Sequence, residues 1–124
     1  MGNTLNLQVL TRLEDDHTAI VALTGEMDVF STPQAKDVML HLLEKGYHNL
    51  VVNLQHAEYL DSTALGMLVG TLKRVREQGG DLRLVAPSAR IRRLLEITRL
   101  NLVFPIDASE QEATANLNKG GMES

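Results

Sequence analysis

The chain has 124 residues, of which 44% are hydrophobic and 3% aromatic, and its formal net charge at pH 7 is −4. This length and hydrophobic content predict one domain whose core needs neither metal nor disulfide. The sequence has no cysteine, which excludes disulfides, thiol catalysis and cysteine-bound zinc and is in keeping with a reducing compartment. The mild, mixed charge and the scarcity of aromatic residues argue against nucleic-acid binding.

Targeting signals are also missing from the printed sequence. The N-terminal segment has no basic region followed by an apolar run, and the apolar stretches elsewhere are too short to cross a bilayer. We therefore expect a cytoplasmic protein that does not bind membranes. We expect residues 1–117 to form the domain and residues 118–124 to be a disordered tail.

The N-terminal half is predicted to form two strands and a helix. Leu5, Leu7 and Val9 alternate with polar residues, which is typical of a strand with one buried face, and the polar residues 14–17 indicate a turn. The predicted elements are, in chain order, a strand at 5–9, a strand at 18–24 that ends at Gly25, a loop at 26–30, and a helix that begins at Ser31–Gln34 and ends at Gly46.

The C-terminal half is predicted to alternate strand and helix. The run LVVNL at 50–54 is almost wholly apolar, which indicates a central strand covered on both faces. After it we predict a loop at 55–61, a helix from Thr63 to Gln78 that stops at Gly79-Gly80, a strand at 82–86, a helix opened by Pro87-Ser88, a strand at 102–104, and a helix from the capping box Ser109–Glu112 to Asn116. This order predicts an α/β domain with a mixed, largely parallel sheet of four or five strands and about four helices.

The candidate functional site is the junction Asp61-Ser62-Thr63, because open α/β sheets place working residues beyond the carboxyl ends of their strands. A helical wheel of the helix that follows has an inward face of Ala64, Leu65, Leu68, Leu72 and Val75. Its outward face carries Thr63, Gly66, Met67, Gly70 and Arg74. A methionine and two glycines on a solvent face indicate a surface for the backbone of a partner protein.

Local chemistry leaves alternatives open for these residues. Ser62 could be the N-cap of its helix, a role that does not exclude modification. Gly66 and Gly70 could pack against the sheet instead of a partner. The next helix exposes Arg90, Arg92, Arg93 and Arg99, which form either a solvated face or a contact with an acidic partner.

Enzyme motifs are not found around this junction. The sequence has no G-x-S-x-G elbow, no H-E-x-x-H and no phosphate-binding loop, and the histidines occur at unrelated spacings. A catalytic group of Ser62, His56 and Asp28 stays open on sequence alone, although such triples arise easily by chance. We therefore predict a protein that is not an enzyme and uses no metal and no cofactor.

Two motifs resemble the STAS domain family. The segment Gly25–Asp28 resembles the family's G-E-[IL]-D element after the second strand. The segment Leu60–Gly66 resembles the D-S-[ST]-[GA]-L-G signature, and it falls at a predicted strand-to-helix junction as the family requires. The resemblance covers nearly the whole chain and is closest to the free-standing anti-sigma factor antagonists of bacteria.

The resemblance implies control by partner switching. In the family, an anti-sigma factor that is also an ATP-dependent serine kinase phosphorylates the serine after the aspartate; here this is Ser62, with Thr63 as a weaker candidate. The unmodified antagonist binds the anti-sigma factor and frees the sigma factor. The phosphorylated antagonist dissociates from the anti-sigma factor until a serine phosphatase removes the phosphate. By resemblance, Asp28, Asp61 and the outer face of the second helix would be contact surface.

Three departures from the family pattern leave the branch of the family open. Asn53 stands where the strand often ends in aspartate, Ala64 replaces a frequent glycine, and the loop 55–59 is unusually polar. The alternative to a phosphorylation switch is a constitutive STAS module, in the manner of a stressosome scaffold, that binds proteins or a small ligand.

Overall fold

The computed structural model describes residues 7–122 and has a five-stranded sheet at its centre. The sheet order follows the chain order, with the first pair of strands antiparallel and every later pair parallel. The strands are β1 (Leu7–Leu13), β2 (Thr18–Met27), β3 (Asn49–Leu60), β4 (Asp81–Val85) and β5 (Ile106–Asp107). The predicted α/β class, with its mixed and largely parallel sheet, is confirmed.

Four α-helices cover the sheet within the described residues: α1 (Thr32–Glu44), α2 (Ser62–Glu77), α3 (Ala89–Ile97) and α4 (Glu110–Met122). The main core lies between one face of the sheet and the first three helices, while α4 packs on the other face. Leu50, Val52 and Leu54 of β3 face the main core, whereas Val51 faces α4. The prediction that this apolar run is covered on both faces is therefore confirmed.

The largest difference from the predicted elements is a ribbon formed by β2 and β3. Both strands continue beyond Thr24 and Leu54, through segments predicted as loops, and Gly25 pairs with Ala57 while Met27 pairs with Leu60. Met27, Ala57 and Leu60 are buried, so pairing and burial stabilise a stretch whose polar side chains indicated a loop. β4 pairs with β3 only as far as Asn53, and the β2–β3 ribbon therefore projects beyond its neighbour.

The edges of the sheet also differ from prediction. β1 spans Leu7–Leu13 instead of residues 5–9, because it pairs along β2 up to the turn; residues 5 and 6 lie outside the described part. Residues 102–104 do not form a strand. A 3-10 turn at Leu100–Leu102 comes first, and β5 begins only at Ile106.

Two polar contacts explain where β5 forms. The carboxylate of Asp107, which is buried, accepts hydrogen bonds from Arg83 of β4 at 3.1 Å and from Asn116 of α4 at 2.7 Å. Arg83 lies 24 residues before Asp107 on a neighbouring strand, so local propensity could not indicate this contact.

Helix ends agree more closely with prediction. α1 ends at Glu44 and α2 at Glu77, each two residues before the glycine predicted to stop it, and both Gly46 and Gly79 have a positive φ that favours glycine. Ser88 caps α3, and the Ser109 hydroxyl accepts from the Glu112 amide at the start of α4, as predicted. Residues 118–122, which we assigned to a tail, instead continue α4; residues 123 and 124 lie outside the described part.

Candidate functional site

The candidate site lies where β3 passes into α2, with Asp61 as the only residue between them. The Asp61 amide donates to the Met27 carbonyl at 3.1 Å, so the ends of β2 and β3 are tied together at this point. The loop after β2 and the start of α2 are therefore neighbours, which brings the two sequence motifs to one corner of the molecule.

Asp61, not Ser62, caps α2. Its backbone is extended, and its Oδ1 accepts a hydrogen bond from the Ala64 amide at 3.0 Å while its carbonyl accepts from Leu65 at 3.0 Å. Ser62 is consequently the first helical residue, and its side chain is exposed. The alternative that Ser62 is the N-cap is wrong, since an aspartate immediately before it supplies the required acceptor.

The Ser62 hydroxyl also makes no other contact that supports the fold in the described part of the chain. Within residues 7–122 it forms no hydrogen bond, either to His56 or to Asp28. A catalytic group of these three residues is open on sequence alone, and no such hydrogen-bonded connection is present in the described part.

No cluster of three or more potential metal ligands was found among the described residues. The helices in this part of the chain are also not long and apolar enough to span a membrane.

Asp28 organises the loop between β2 and α1. Its Oδ1 accepts from the amides of Phe30 and Ser31, both at 2.9 Å, and the Ser31 hydroxyl accepts from the Asp28 amide at 2.9 Å. The pKa of Asp28 lies below its usual value, mainly because the carboxylate accepts the hydrogen bond from the Ser31 amide. The carboxylate thus fixes a tight loop that begins one residue after Met27.

Phe30, at the tip of that loop, was not singled out from the sequence. Its side chain is 90% exposed and follows Val29, which is 55% exposed. The sequence feature that could have indicated Phe30 is its place in an apolar pair next to the cap residues of α1. Large exposed aromatic residues are a feature of protein interfaces. The sequence predicts only a connecting loop at 26–30.

The predicted outward face of α2 is confirmed in part. Thr63, Gly66 and Arg74 are exposed and Gly70 is half-buried. Met67, however, is only 8% exposed and lies in the main core, so its assignment to the partner surface is wrong. The reason is that α2 packs against both the sheet and α1, which widens its buried stripe beyond what the wheel predicted.

The two glycines of α2 do not pack against the sheet. A Cβ atom added at Gly66 or at Gly70 would meet no neighbouring atom within 4 Å, apart from the helix's own nearby backbone. The alternative in which the domain itself requires these glycines for close packing is therefore wrong. Their bare backbone remains on or near the surface, next to the exposed Ser62 and Thr63.

A cleft of about 600 Å³ opens beside Ser62, between the start of α2 and α3. Its walls are largely apolar and include Leu65, Ile91 and Leu94, and Arg90 and Arg93 lie at its edge. Arg90 also borders an open groove of about 1010 Å³ along the β2–β3 ribbon, whose lining includes Glu26 and Glu58. The sequence placed these arginines on a solvent face but did not indicate that they share a cleft with Ser62.

The fold and this corner define a small α/β domain with an exposed serine at a strand-to-helix junction. A family model for the STAS domain matches residues 10–113. The chain belongs to the STAS domain family, and the predicted resemblance is confirmed.

Curated relatives and solved structures agree with this family. Anti-sigma-B factor antagonists of Staphylococcus epidermidis and of Staphylococcus aureus strain NCTC 8325 are each 38% identical over 96 residues, which is 77% of this chain and 88% of theirs. A crystal structure of a candidate anti-sigma factor antagonist from Thermotoga maritima is 27% identical, with a TM-score of 0.79 over 89% of this chain and 94% of that one. The anti-sigma factor antagonist SpoIIAA in its unphosphorylated form, at 19% identity, shares the fold with a TM-score of 0.81 over 90% of this chain and 97% of its own.

Proposed function

We propose that this protein is an anti-sigma factor antagonist, which binds a serine-kinase anti-sigma factor and is inactivated by phosphorylation at Ser62. The observation that carries the proposal is that Ser62 is exposed and unused by the fold, while Asp61 performs the capping. A hydroxyl in this position can be modified without the loss of a structural contact. The names of the relatives at 38% identity support the role as antagonist.

A phosphate on Ser62 is compatible with the folded domain. It would add a charge of about −1.5 to −2. Negative charge is favourable at the N-terminus of a helix, where backbone amides have no partner in the preceding turn. SpoIIAA, which has this fold, has been solved in a phosphorylated form as well, which is in keeping with this expectation.

The same phosphate would oppose partner binding. It would lie beside the carboxylate of Asp61 and near the exposed Glu58, so a docked partner would have to desolvate several negative charges together. A loss of about 3 kcal/mol weakens binding roughly a hundredfold. Phosphorylation could therefore release the partner without unfolding the domain.

The proposed contact surface combines the corner with the outer face of α2. It comprises Asp28, Asp61, Ser62, Thr63, Gly66, Gly70 and Arg74, without Met67. The partner is an ATP-dependent serine kinase, Thr63 is the weaker acceptor, and a serine phosphatase acts on the modified form. No cofactor of the antagonist itself is needed, because the kinase brings the nucleotide.

The test starts with capture from a lysate of the source organism, with wild type, Ser62→Ala and Ser62→Asp as baits and mass spectrometry to identify the retained proteins. We expect a kinase-type protein on the first two baits and its absence from the third. The purified kinase should then label wild type and Thr63→Ala with phosphate from ATP, but should not label Ser62→Ala. Gln8→Glu, which adds one negative charge on β1, serves as the control and should bind like wild type.

Binding that is equal for all three baits would contradict the switch and would favour a constitutive module. An unfolded Ser62→Asp variant, detected by circular dichroism, would instead show that the start of α2 does not tolerate added charge.

A further inference from the structure

Two arginines of α3 share the cleft that borders Ser62. Arg90 and Arg93 are three residues apart and therefore lie on one side of the helix, and both contribute to the wall of the roughly 600 Å³ cleft. Ser88 caps the helix through the Ile91 amide at 3.2 Å, which fixes the first turn that carries Arg90. Arg92, on the same helix, does not line the cleft.

The guanidinium groups of these two arginines lack an acidic partner in residues 7–122. Arg12, Arg76 and Arg83 each have a carboxylate oxygen within 4.0 Å, but Arg90 and Arg93 do not. Both side chains are exposed at the edge of a cleft whose other walls are mainly apolar. Positive charge thus lines the same cleft as a hydroxyl that forms no hydrogen bond in the described residues.

We propose that Arg90 and Arg93 form a receptor within the same chain for the phosphate of phosphorylated Ser62. This inference rests on the proposed function, because it requires that Ser62 becomes phosphorylated. Guanidinium groups bind phosphate oxygens through paired, charge-assisted hydrogen bonds, and apolar surroundings strengthen such bonds. The occupant of the cleft edge is therefore the chain's own phosphate group.

This receptor gives the modified state a structure of its own. A phosphate held by α3 bridges the start of α2 to a helix that the unmodified chain leaves separated from it by the cleft. The arginines would hold the phosphate in place at the corner, and a phosphatase would have to displace them before hydrolysis. Protection of the phosphate would follow from this contact, whereas release of the partner follows from the added charge.

The test installs phosphoserine at position 62 during synthesis and follows the phosphate by 31P NMR as a function of pH. A free phosphoserine has a second pKa of about 6. Cationic partners favour the doubly charged form, so we expect this pKa to fall by about half a unit or more in the folded protein. The amides at the start of α2 and the Asp61 carboxylate also act on this pKa and are the same in every variant. Arg90→Gln and Arg93→Gln should therefore each reduce the shift and the double variant should remove the part that the arginines cause, whereas Arg92→Gln should keep it.

The opposite results would overturn the receptor. These are a phosphate pKa that none of the variants changes, or an equal effect of Arg92→Gln, which would indicate only the general charge of α3. A third contradicting result is tenfold weaker partner binding by unmodified Arg90→Gln with no change in the phosphate titration, which would assign the arginines to the partner. If a glutamine variant does not fold, Arg90→Lys and Arg93→Lys keep the charge without the planar pair of donors and should retain only part of the shift.

Failure of the proposed function is detected separately. Phosphoserine protein that still binds the purified kinase as tightly as wild type would contradict the switch, whatever the NMR titration shows. A normal loss of binding with no arginine-dependent pKa shift would contradict only the receptor.

Discussion

At the start of α2, the two adjacent side chains Asp61 and Ser62 have different environments. The Asp61 carboxylate accepts from Ala64, while the Ser62 hydroxyl is exposed and unpaired within the described residues. One side chain stabilises the helix start so that the other is available for chemistry. Either residue is a good N-cap by type, and only the backbone geometry shows which of them takes the position.

Replacement of Asp61 should therefore destabilise the domain more than replacement of Ser62. We expect Asp61→Ala to lower the free energy of unfolding by about 1 kcal/mol, because the Ala64 amide loses its acceptor. Ser62→Ala should change it by less than about 0.5 kcal/mol, as for an exposed surface residue. Urea unfolding measures both values, with Asp61→Asn as the control that keeps the cap but removes the charge. A larger loss for Ser62→Ala would contradict the assignment of the cap.

At the scale of single elements, α2 is covered by the sheet on one side and by α1 on another. Met67 and Thr71 are both buried, and the Thr71 hydroxyl donates to the Met67 carbonyl at 2.9 Å. The exposed strip that remains is narrow and contains Gly66. A partner that approached there would meet backbone instead of side chains.

The glycines of α2 provide a test of that strip. Gly66→Ala and Gly70→Ala should each stabilise the isolated domain by up to about 1 kcal/mol, since alanine is the better helix former and the space for Cβ is open. The same substitutions should weaken binding to the anti-sigma factor if its backbone packs closely there. Thermal unfolding and titration calorimetry on the same samples measure the two effects.

Gly80→Ala is the contrasting control for these variants. A Cβ atom at Gly80 would overlap the carbonyl of His48, so this variant should lose stability. Unchanged partner affinity for Gly66→Ala and Gly70→Ala would show that no partner backbone lies against the strip.

At the scale of the whole molecule, α4 joins the far face of the sheet through Glu110. Its carboxylate accepts from Arg12 of β1 at 2.7 Å and from Asn53 of β3 at 2.6 Å. Asn53 is the position where the family often has aspartate, and an amide there can donate to Glu110 where a carboxylate would repel it. The departure from the family pattern thus has a structural explanation on the face opposite to the main core.

The Glu110 contacts should make stability depend on pH. Burial raises the pKa of Glu110, but the hydrogen bonds from Arg12 and Asn53 outweigh it, and the pKa lies below its ordinary value of 4.5. The contribution is therefore complete above about pH 4.5 and is lost as the pH falls through the lower pKa of the folded state. Wild type should exceed Glu110→Gln in free energy of unfolding at pH 7, and the difference should shrink in acid.

Urea unfolding at several pH values measures this difference. Arg12→Gln should reduce the pH-dependent part, whereas Arg92→Gln should leave it unchanged, because Arg92 does not contact Glu110. Added salt should weaken the Arg12 contribution, since that side chain is 61% exposed. A difference that stays constant from pH 7 down to pH 3 would contradict this role of Glu110.

Local patterns account for the features that sequence alone predicted correctly. The helix ends just before Gly46 and Gly79, the caps at Ser88 and Ser109, and the doubly covered run of β3 depend on residues within a few positions of one another. The family motifs are equally local, since each is a short run at the end of one strand. The α/β class, the family and the candidate junction were therefore all accessible from the printed residues.

Tertiary structure decided the features that depend on distant parts of the chain. The β2–β3 ribbon forms because buried Met27 pairs with Leu60, and Met67 is buried because α1 lies beside α2. Arg90 and Arg93 share a cleft with Ser62 only because the fold places α3 opposite the start of α2. The sequence by itself determined the family and identified Ser62 as the candidate residue within its motif. The cap at Asp61, the exposed strip of α2 and the cleft that the arginines share with Ser62 required the packing of separate elements, which no local pattern encodes.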